Sequence, residues 1–569
     1  MSKVVDPITL EILQNKLLTN VAQISYRLIR ASHSFMIKEM EDCSSSLFDA
    51  ECRLLAESAN IPIHLNCVGI ALQQILAHHI PVAEWKPGDV VLMNDPYTKG
   101  GSLGSAHTND LVMYAPCFSG GRLVGFVGLM AHHLDIGAQW MGSRGWNVEI
   151  QQEGLILPPI KLVNEGIMNE ALLATIVRNC RVPESLHNDL LAQLASLTAG
   201  AVELEAIYDH YGLATMQAAV DQIITHAEAR SRAEVARIPD GTYRGEVPIL
   251  DDGYAGGPYW LRVEIRKSGS DITFDFTGTD PQIRGPVNAP LSTTMSAVYY
   301  IMRSLTDPSI PNSEGCKRPI TIIAPEGTLV NAKSPAAVNQ RMVTCHSLVD
   351  LVMGALADAI PDRVIADSAG CQYNYIASHN PDTDRWESFG EVTPGGIGAT
   401  ALLDGMDVMA CHVTNCAMPT IEATEAESSV LYLKREYRTD SAGPGYRRGG
   451  SGQVQVYKLL APESEFHRTS QKSRIAPRGI AGGGAGASGR WIINEGCEDE
   501  RVCEFSIGDV ERLARGDTVS FYTTSGGGYG DPTKRERALI AADLRDGFIS
   551  AEHARIHYGY VQEEGIPAE

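Results

Sequence analysis

Apolar and polar residues along the chain follow two different periods, and these divide it into helical and strand-forming stretches. From Leu10 to Leu28, apolar residues recur at steps of three and four, which predicts one helix with a single buried face. Asp6 and Pro7 precede this run and are typical of a helix start, because Asp caps free N–H groups and Pro suits the first turn. The run SLFDAECRLLA, from Ser46 to Ala56, then predicts a hairpin of two short strands.

Farther along the chain the period changes several times. Strand-like runs separated by Gly-rich loops fill 90–136, and long helical patterns fill 183–236. A hairpin is expected around the turn at 268–270, and short strands with Gly-rich loops dominate 381–524. These patterns predict an α+β, multi-domain chain with a helical middle segment and a β-rich C-terminal half. We expect five segments: an α+β region at 1–182, helices at 183–238, a β-rich region with a helix at 239–380, a β-rich and Gly-rich region at 381–534, and C-terminal helices at 535–569.

Composition and charge argue against two classes of partner. The chain has 569 residues and a formal net charge of −22, so it repels phosphate backbones and nucleic acid is not expected as a partner. No apolar run approaches the roughly 18 residues that cross a bilayer, and the start, MSKVVDPITLEIL, lacks the apolar core of a signal peptide. We therefore expect a cytoplasmic protein that does not enter a membrane. Its 12 Cys residues form no C-x-x-C pair, which is typical of buried, reduced thiols rather than a thiolate metal site.

Histidine and aspartate are concentrated in one stretch of the first region. His107 and Asp110 lie three residues apart in GSAHTNDLV, where glycine and polar residues predict a loop or turn in which the two side chains can converge. His132 and His133 stand nearby, at the end of an apolar strand. Imidazole and carboxylate together suit a borderline divalent ion. Hydrogen-bonded core histidines and turn aspartates fit the same pattern, so residue type and spacing leave both interpretations open.

Other motifs favour structural interpretations. GAGASG (484–489) has the letters of a dinucleotide fingerprint, but a strand-like run follows where a helix is required, so a Gly-rich loop is expected. GGSLG (100–104) has the letters of a nucleophile turn around Ser102, but lacks the strand before it and the helix after it. No G-x-x-x-x-G-K-[ST] motif occurs, so no ATP site of that kind is expected. Polar residues near short strands in the C-terminal half are His412, Asn415, Glu422 and Glu425. Glu422 and Glu425 could share one face of a helix or be solvated, and solvated side chains are the simpler interpretation.

Several longer stretches occur in a fixed order along nearly the whole chain. They include IKEMEDCSSSLFDAECRLLAESANIPIHL, GDVVLMNDPYTKGGSLGSAHTNDLVMYAPCF, GFVGLMAHHLDIGA, FDFTGTDPQIRGPVNAP and SGGGYGDP. Together they resemble the hydantoinase B and oxoprolinase family. This family comprises the B-type subunits of ATP-dependent hydantoinases, lactamases and oxoprolinases, and is related to the alpha subunit of acetone carboxylase.

The resemblance implies one divalent metal ion, either zinc, manganese or iron. Its ligands would be His107, Asp110, the first histidine of the doublet, His132, and Asp42, which ends the EMED stretch begun by Glu39. The chain departs from the usual family pattern at two points. The loop GGSLGSAH is longer than the common GGTH, and the two middle residues of EMED replace a stretch that often contains Arg.

We assign His133 or Asp135 as a residue that supports the ligands or acts as the general base. The resemblance further implies a hetero-oligomer with an actin-like A-type ATPase subunit, which phosphorylates the carbonyl oxygen of a cyclic amide; ATP is then bound by that partner and not by this chain. Water activated at the metal would open the hydantoin, lactam or oxoproline ring.

Three alternatives remain open. The main one is a subunit of an ATP-dependent ketone carboxylase of the acetone or acetophenone type, for which bicarbonate dependence would be diagnostic. A mononuclear iron oxygenase would usually show His-x-Asp or His-x-Glu instead of His-x-x-Asp. A scaffold that only stabilises the ATPase partner would hold no metal.

Overall fold

A computed structural model describes residues 4–58, 60–97, 104–143, 145–254, 256–503, 507 and 509–561 of the chain. The chain divides into two compact units. The first comprises Met1–Arg244 and Leu261–Cys345, and the second comprises Gly245–Trp260 and His346–Glu569.

A seven-stranded antiparallel sheet dominates the described part of the first unit. Its strands are β1 (Cys43–Asp49), β2 (Leu54–Glu57), β3 (Val90–Met93), β4 (Asp110–Ser119), β5 (Arg122–His132), β6 (Ile160–Asn164) and β7 (Ile167–Met168). Their order in the sheet is β2-β1-β5-β4-β3-β6-β7. The predicted hairpin is therefore confirmed as β1 and β2, which pair antiparallel. Because β1 also pairs with β5, two segments far apart in the sequence lie side by side.

Helices cover this sheet. They are α1 (Pro7–Ala31), α2 (Phe35–Lys38), α3 (Cys67–His78), α4 (Glu170–Arg178), α5 (Pro183–Tyr211) and α6 (Leu213–Val235). Asp6 caps α1 by accepting a hydrogen bond from the Thr9 N–H, as its position predicts. The apolar faces of α1 and α5 pack in one core with the sheet.

Among the described helices, α5 is long and apolar enough to cross a membrane by length and composition alone. Half of its most apolar window is buried inside the protein. Packing against the sheet and α1 accounts for this composition without a bilayer.

A second sheet contains the predicted hairpin of the middle region. Its strands are β8 (Gly241–Ile249), β9 (Tyr259–Ser268), β10 (Asp271–Asp275) and β11 (Ile320–Ile323), in the order β11-β10-β9-β8. Strands β9 and β10 pair antiparallel from Ser268 opposite Asp271, which confirms the predicted turn. Three helices accompany them: α7 (Leu291–Leu305), α8 (Glu314–Lys317) and α9 (Arg341–Leu356).

The second unit is built mainly from strands. They are β12 (Gln372–Asn380), β13 (Arg385–Val392), β14 (Val430–Tyr437), β15 (Gln453–Leu459), β16 (Glu463–Ser470), β17 (Arg490–Ile493), β18 (Arg501–Val502), β19 (Asp509–Ala514) and β20 (Thr518–Tyr522). They form two sheets, β13-β12-β16-β19 and β14-β15-β20-β17-β18. Between them lies a core with Trp491 stacked on Phe521 at 3.8 Å. The described helices of this part are α10 (Ile421–Glu427), α11 (Arg537–Arg545) and α12 (Ala551–Tyr558).

Glycine backbones pack directly against one another in the second unit. We call this the glycine cluster; it contains 395–398, 443–450, 483–486 and 526–528. Backbone hydrogen bonds connect the segments, such as Gly526 N–H to the Gly450 carbonyl at 2.8 Å. A Cβ on Gly398 would collide with the Ala366 carbonyl oxygen, so only glycine fits. GAGASG lies at this cluster and leads into strand β17, as expected of a Gly-rich loop.

The predicted mixed α+β, multi-domain fold is confirmed, with its helical middle segment and β-rich C-terminal half. The boundaries of the five expected segments stay a prediction.

Candidate metal centre

The adjacent ends of β4 and β5 place two predicted ligands opposite each other. Asp110 begins β4, His132 ends β5, and the two residues are cross-strand partners. His107 lies in the turn just before β4, where the Asp110 N–H donates to the His107 carbonyl oxygen at 3.1 Å. This turn folds the His107 ring back over the strand ends, as the polar, Gly-flanked sequence predicts.

Three of the four predicted ligands converge. The Nε2 atom of His107 lies 3.2 Å from Oδ1 of Asp110, and the rings of His107 and His132 are 4.9 Å apart between centroids. One ligand atom from each residue lies within 4.8 Å of those from the other two. All three are buried, and their two imidazoles and one carboxylate suit zinc, manganese or iron. The residues therefore fit a divalent ion.

Asp42, the fourth predicted ligand, lies beside His132 through strand pairing but is not in the group whose ligand atoms all lie within 4.8 Å of one another. It directly precedes β1, and its backbone carbonyl accepts a hydrogen bond from the His132 N–H at 3.0 Å. Its side chain is buried, with 8% of the residue exposed. The β1–β5 pairing thus places Asp42 beside His132, although 90 residues separate them in the sequence.

Two further residues of the centre were not predicted from the sequence. The Nε2 atom of His64 lies 3.8 Å from Asp42 Oδ1 and 3.9 Å from Asp110 Oδ2. A guanidinium nitrogen of Arg341, at the start of α9, donates to Asp110 Oδ2 at 3.1 Å. His64 lies in IPIHLN, a stretch already part of the family resemblance, which was the available signal. Arg341 carried no local signal, because tertiary folding alone brings it to Asp110.

Buried charges set the protonation states of these residues. Burial by itself raises the pKa of Asp110, but His107 and Arg341 outweigh it and hold that pKa well below the usual range. Burial lowers the pKa of His64 to about 4, against the opposing charge of Asp110. An ionised carboxylate and a neutral imidazole are the forms that bind metal ions.

The two residues assigned to support or general-base roles lie just beyond β5. The His133 N–H donates to the Asn109 carbonyl oxygen, and its Nε2 lies 3.1 Å from Gln193 Oε1 of α5. Asp135 accepts two hydrogen bonds from Arg181, one from the backbone at 2.7 Å and one from the guanidinium at 2.9 Å. Both side chains contact these partners and hold the turn after the strand.

The remaining candidate residues lie elsewhere. Ser102 is outside the described residues, so the structure does not bear on it. His412 is buried in the second unit, 6.0 Å from the His346 ring between centroids. Glu422 is exposed on α10, and Glu425 accepts a hydrogen bond from the Tyr432 N–H at 2.7 Å. Both glutamates lie on α10. The solvated interpretation suits Glu422, whereas the Glu425 carboxylate is bound to a backbone N–H.

Comparison with known proteins supplies the context for this geometry. The sequence profile of the hydantoinase B/oxoprolinase family matches residues 6–532. The chain belongs to the hydantoinase B/oxoprolinase family. The resemblance found in the sequence is thereby confirmed.

Two of the relatives match the chain over almost their full length. An uncharacterised protein of Methanocaldococcus jannaschii is 32% identical, with 97% of this chain and 96% of the relative covered. The caprolactamase subunit beta of Pseudomonas jessenii is 30% identical, with 98% and 96% covered. The latter is named as a subunit, which implies a partner chain in that enzyme.

Solved structures agree with the fold. The crystal structure of the ATP-dependent caprolactamase from P. jessenii superposes with a TM-score of 0.89 at 28% identity, over 99% of this chain and 97% of that one. A nucleotide-free acetone carboxylase structure superposes with a TM-score of 0.87 over 98% of this chain and 80% of that one. At 20% identity, the second likeness concerns the fold alone.

Proposed function

We propose that this chain is the metal-containing B-type subunit of an ATP-dependent cyclic amide hydrolase, which opens a hydantoin, lactam or oxoproline ring. The observation that carries the proposal is the buried convergence of His107, Asp110 and His132 in a member of this family. The name of the P. jessenii relative, an ATP-dependent caprolactamase, supports a cyclic amide as substrate. A cytoplasmic location fits such a metabolic enzyme.

In this proposal His107, Asp110, His132 and Asp42 hold one divalent ion. When bound, such an ion would supply Lewis acidity to the carbonyl oxygen of the cyclic amide and lower the pKa of water. Arg341 keeps the Asp110 carboxylate ionised and oriented through its 3.1 Å contact with Oδ2. The other Asp110 oxygen remains on the side of His107.

His133 and Asp135 position the end of β5. Gln193 donates from its amide to the carbonyls of Leu111 in β4 and Leu129 in β5, so its oxygen is left to accept from His133. Through these three hydrogen bonds, Gln193 attaches both strands and the His133 ring to α5. Of the two roles considered for His133 and Asp135, these contacts favour support of the ligands over proton transfer.

Amide resonance makes a cyclic amide a poor electrophile, and phosphorylation of its carbonyl oxygen would make the ring carbon easier for water to attack. We infer that a partner A-type ATPase subunit, actin-like in fold, phosphorylates the ring carbonyl oxygen and that the activated ring is then opened at this centre. The subunit name of the P. jessenii relative supports a partner of some kind. ATP binding is assigned to that partner.

The decisive experiment uses the full chain combined with its A-type partner, ATP and a panel of hydantoin, caprolactam and 5-oxoproline. His107→Ala should abolish metal in elemental analysis and lower ATP-dependent ring opening by at least about 100-fold. His226→Ala, at an exposed position on α6, is the matched control and should behave as the wild type. Full turnover by His107→Ala would refute the metal-dependent mechanism.

The ketone carboxylase alternative is decided in the same assay. Acetone or acetophenone then replaces the cyclic amides, with and without bicarbonate. Product formation that requires bicarbonate would replace hydrolysis as the function, since ring opening consumes only water and ATP.

A further inference from the structure

We propose that His64 is an additional functional residue of this centre, and that its Nε2 atom binds the water molecule consumed in ring opening. The inference rests on the proposed function, because it needs a reaction that uses water. His64 ends the short 3-10 turn Pro62–His64 and is 1% exposed. Its Nε2 atom faces the side chains of Asp42 and Asp110.

Hydrogen bonding on the far side of the ring assigns the tautomer. The Ser44 hydroxyl donates its one hydrogen to the Cys43 carbonyl oxygen at 2.8 Å. Its oxygen lies 3.1 Å from His64 Nδ1. With the hydroxyl hydrogen given to Cys43, this oxygen accepts from Nδ1, and we assign the ring hydrogen to Nδ1 on that basis. In the neutral ring, Nε2 then presents a lone pair to the centre.

Three acceptors therefore face one another. Nε2 lies 3.8 Å from Asp42 Oδ1 and 3.9 Å from Asp110 Oδ2, both beyond hydrogen-bond length. Arg341 donates to the same Asp110 oxygen, which keeps it an acceptor. Lone pairs at these separations are stabilised by a donor between them, and a water molecule has two O–H groups to share between Nε2 and a carboxylate.

Direct binding of His64 to the ion is less well supported. In the described part of the chain, the group of His107, Asp110 and His132, whose ligand atoms all lie within 4.8 Å of one another, includes neither His64 nor Asp42. Asp42 is assigned as a ligand from the family resemblance, which assigns none at His64. The bond to Ser44 holds the ring where it is. A water molecule can therefore bridge Nε2 and the carboxylates of Asp42 and Asp110 without any movement of the ring.

A crystal structure of the full chain loaded with Mn²⁺ tests the placement without knowledge of the substrate. We expect a water oxygen within about 3.2 Å of Nε2. Nε2 bonded directly to the ion, or in contact with protein atoms alone, would overturn the proposal.

Two variants test the role in turnover. His64→Asn retains an amide that can donate to Ser44 but removes Nε2, and His64→Ala leaves room for added imidazole. Both should keep their manganese in elemental analysis while ATP-dependent ring opening falls by about 100-fold. Free imidazole should restore at least about tenfold activity to His64→Ala and none to His107→Ala, a response that a merely structural residue would not give.

The outcomes separate this inference from the proposed function. Loss of manganese in His64→Asn would make His64 a ligand, and turnover within threefold of the wild type would make it dispensable; either overturns the inference alone. His226→Asn, exposed on α6, is the control for histidine replacement. Full activity of His107→Ala would instead refute the underlying function.

Discussion

At the scale of single residues, the centre depends on charges that are buried yet paired. Asp110 is fully buried, and the Arg341 guanidinium on its Oδ2 offsets the cost of removing its charge from water. His107 contributes on the other oxygen, at 3.2 Å. The carboxylate is thus stabilised before any cation arrives, which keeps the ligand group assembled.

Replacing Arg341 should reveal that stabilisation. Arg341→Met leaves Asp110 with one partner fewer, and we expect it to lower the free energy of unfolding by about 2–4 kcal/mol in EDTA. Arg237→Met removes an arginine whose side chain is 63% exposed, and it should cost less than about 1 kcal/mol. Urea unfolding of both variants measures these changes. Equal losses in the free energy of unfolding would show that the buried pair contributes no more to stability than an exposed arginine does.

A second buried carboxylate makes stability depend on pH. Glu57 accepts hydrogen bonds from Ser46, Asn66 and Asn312, yet burial raises its pKa to about 7, against the charge of Lys317. Because the folded pKa lies above the unfolded value of about 4.3, the fold prefers the neutral acid. Its contribution to stability is full below pH 4.3 and is lost as pH rises through 7.

Glu57→Gln should therefore flatten the pH profile of stability. The wild type should lose about 3 kcal/mol more than the variant between pH 5 and pH 8, measured as free energy of unfolding at several pH values. Glu51→Gln changes an exposed glutamate in the same hairpin and should leave the profile unchanged. Parallel curves for the wild type and Glu57→Gln would contradict the assigned shift.

At the scale of elements, α1 and α5 approach closely because α5 has a glycine at the crossing. A Cβ on Gly200 would overlap the Ile24 side chain of α1, and the Gly200 carbonyl accepts a hydrogen bond from Asn20 at 3.0 Å. Small residues at a crossing let two helices pack at short distance. The α1–α5 contact in turn belongs to the same core as the sheet that carries the candidate metal centre.

Gly200→Ala tests this crossing. Ala favours a helix over Gly by about 0.5–1 kcal/mol, but overpacking should cost about 1–3 kcal/mol, so the net change should be destabilising. Ile24→Ala opens the space that the new methyl group needs, and the double variant should be more stable than the sum of the single changes predicts. Strict additivity in urea unfolding would show that the two residues do not share this space.

Local sequence signals predicted the elements better than their pairing. The capped helix α1 and the β9–β10 hairpin follow from periodicity and turn residues within a few positions. The pairing of β1 with β5, which delivers Asp42 to His132, is not encoded in any short window. For this reason the spacing of His and Asp residues alone leaves the metal interpretation open, and only the family resemblance indicates Asp42. Arg341 lies 231 residues from Asp110 in the sequence, so no local pattern predicts their contact.

At the scale of the whole molecule, the second unit depends on the glycine cluster. Gly398→Ala would place a methyl group against the Ala366 carbonyl oxygen, and Gly526→Ala would do so against Ile397. Backbone atoms cannot rotate away as side chains do, so either change should lower the free energy of unfolding by more than about 3 kcal/mol or abolish soluble expression.

Gly354→Ala is the matched control for these changes. Gly354 is exposed within α9, and its nearest neighbour is the flexible end of Arg478 at 3.3 Å. This change should raise the melting temperature slightly, because Ala restricts the unfolded chain. Similar melting temperatures for Gly354→Ala and Gly398→Ala would contradict the close backbone packing.

Because Asp110 and His132 are cross-strand partners in β4 and β5, their meeting depends on the correct register of these two strands. Slippage of the ladder by one residue would turn one of these side chains to the opposite face. Under the proposed function, the cation would then find too few ligand atoms, so uptake of metal would report correct pairing of the central sheet. Molecules with a slipped sheet would stay metal-free, so the metal content per chain would measure the correctly folded fraction of a preparation.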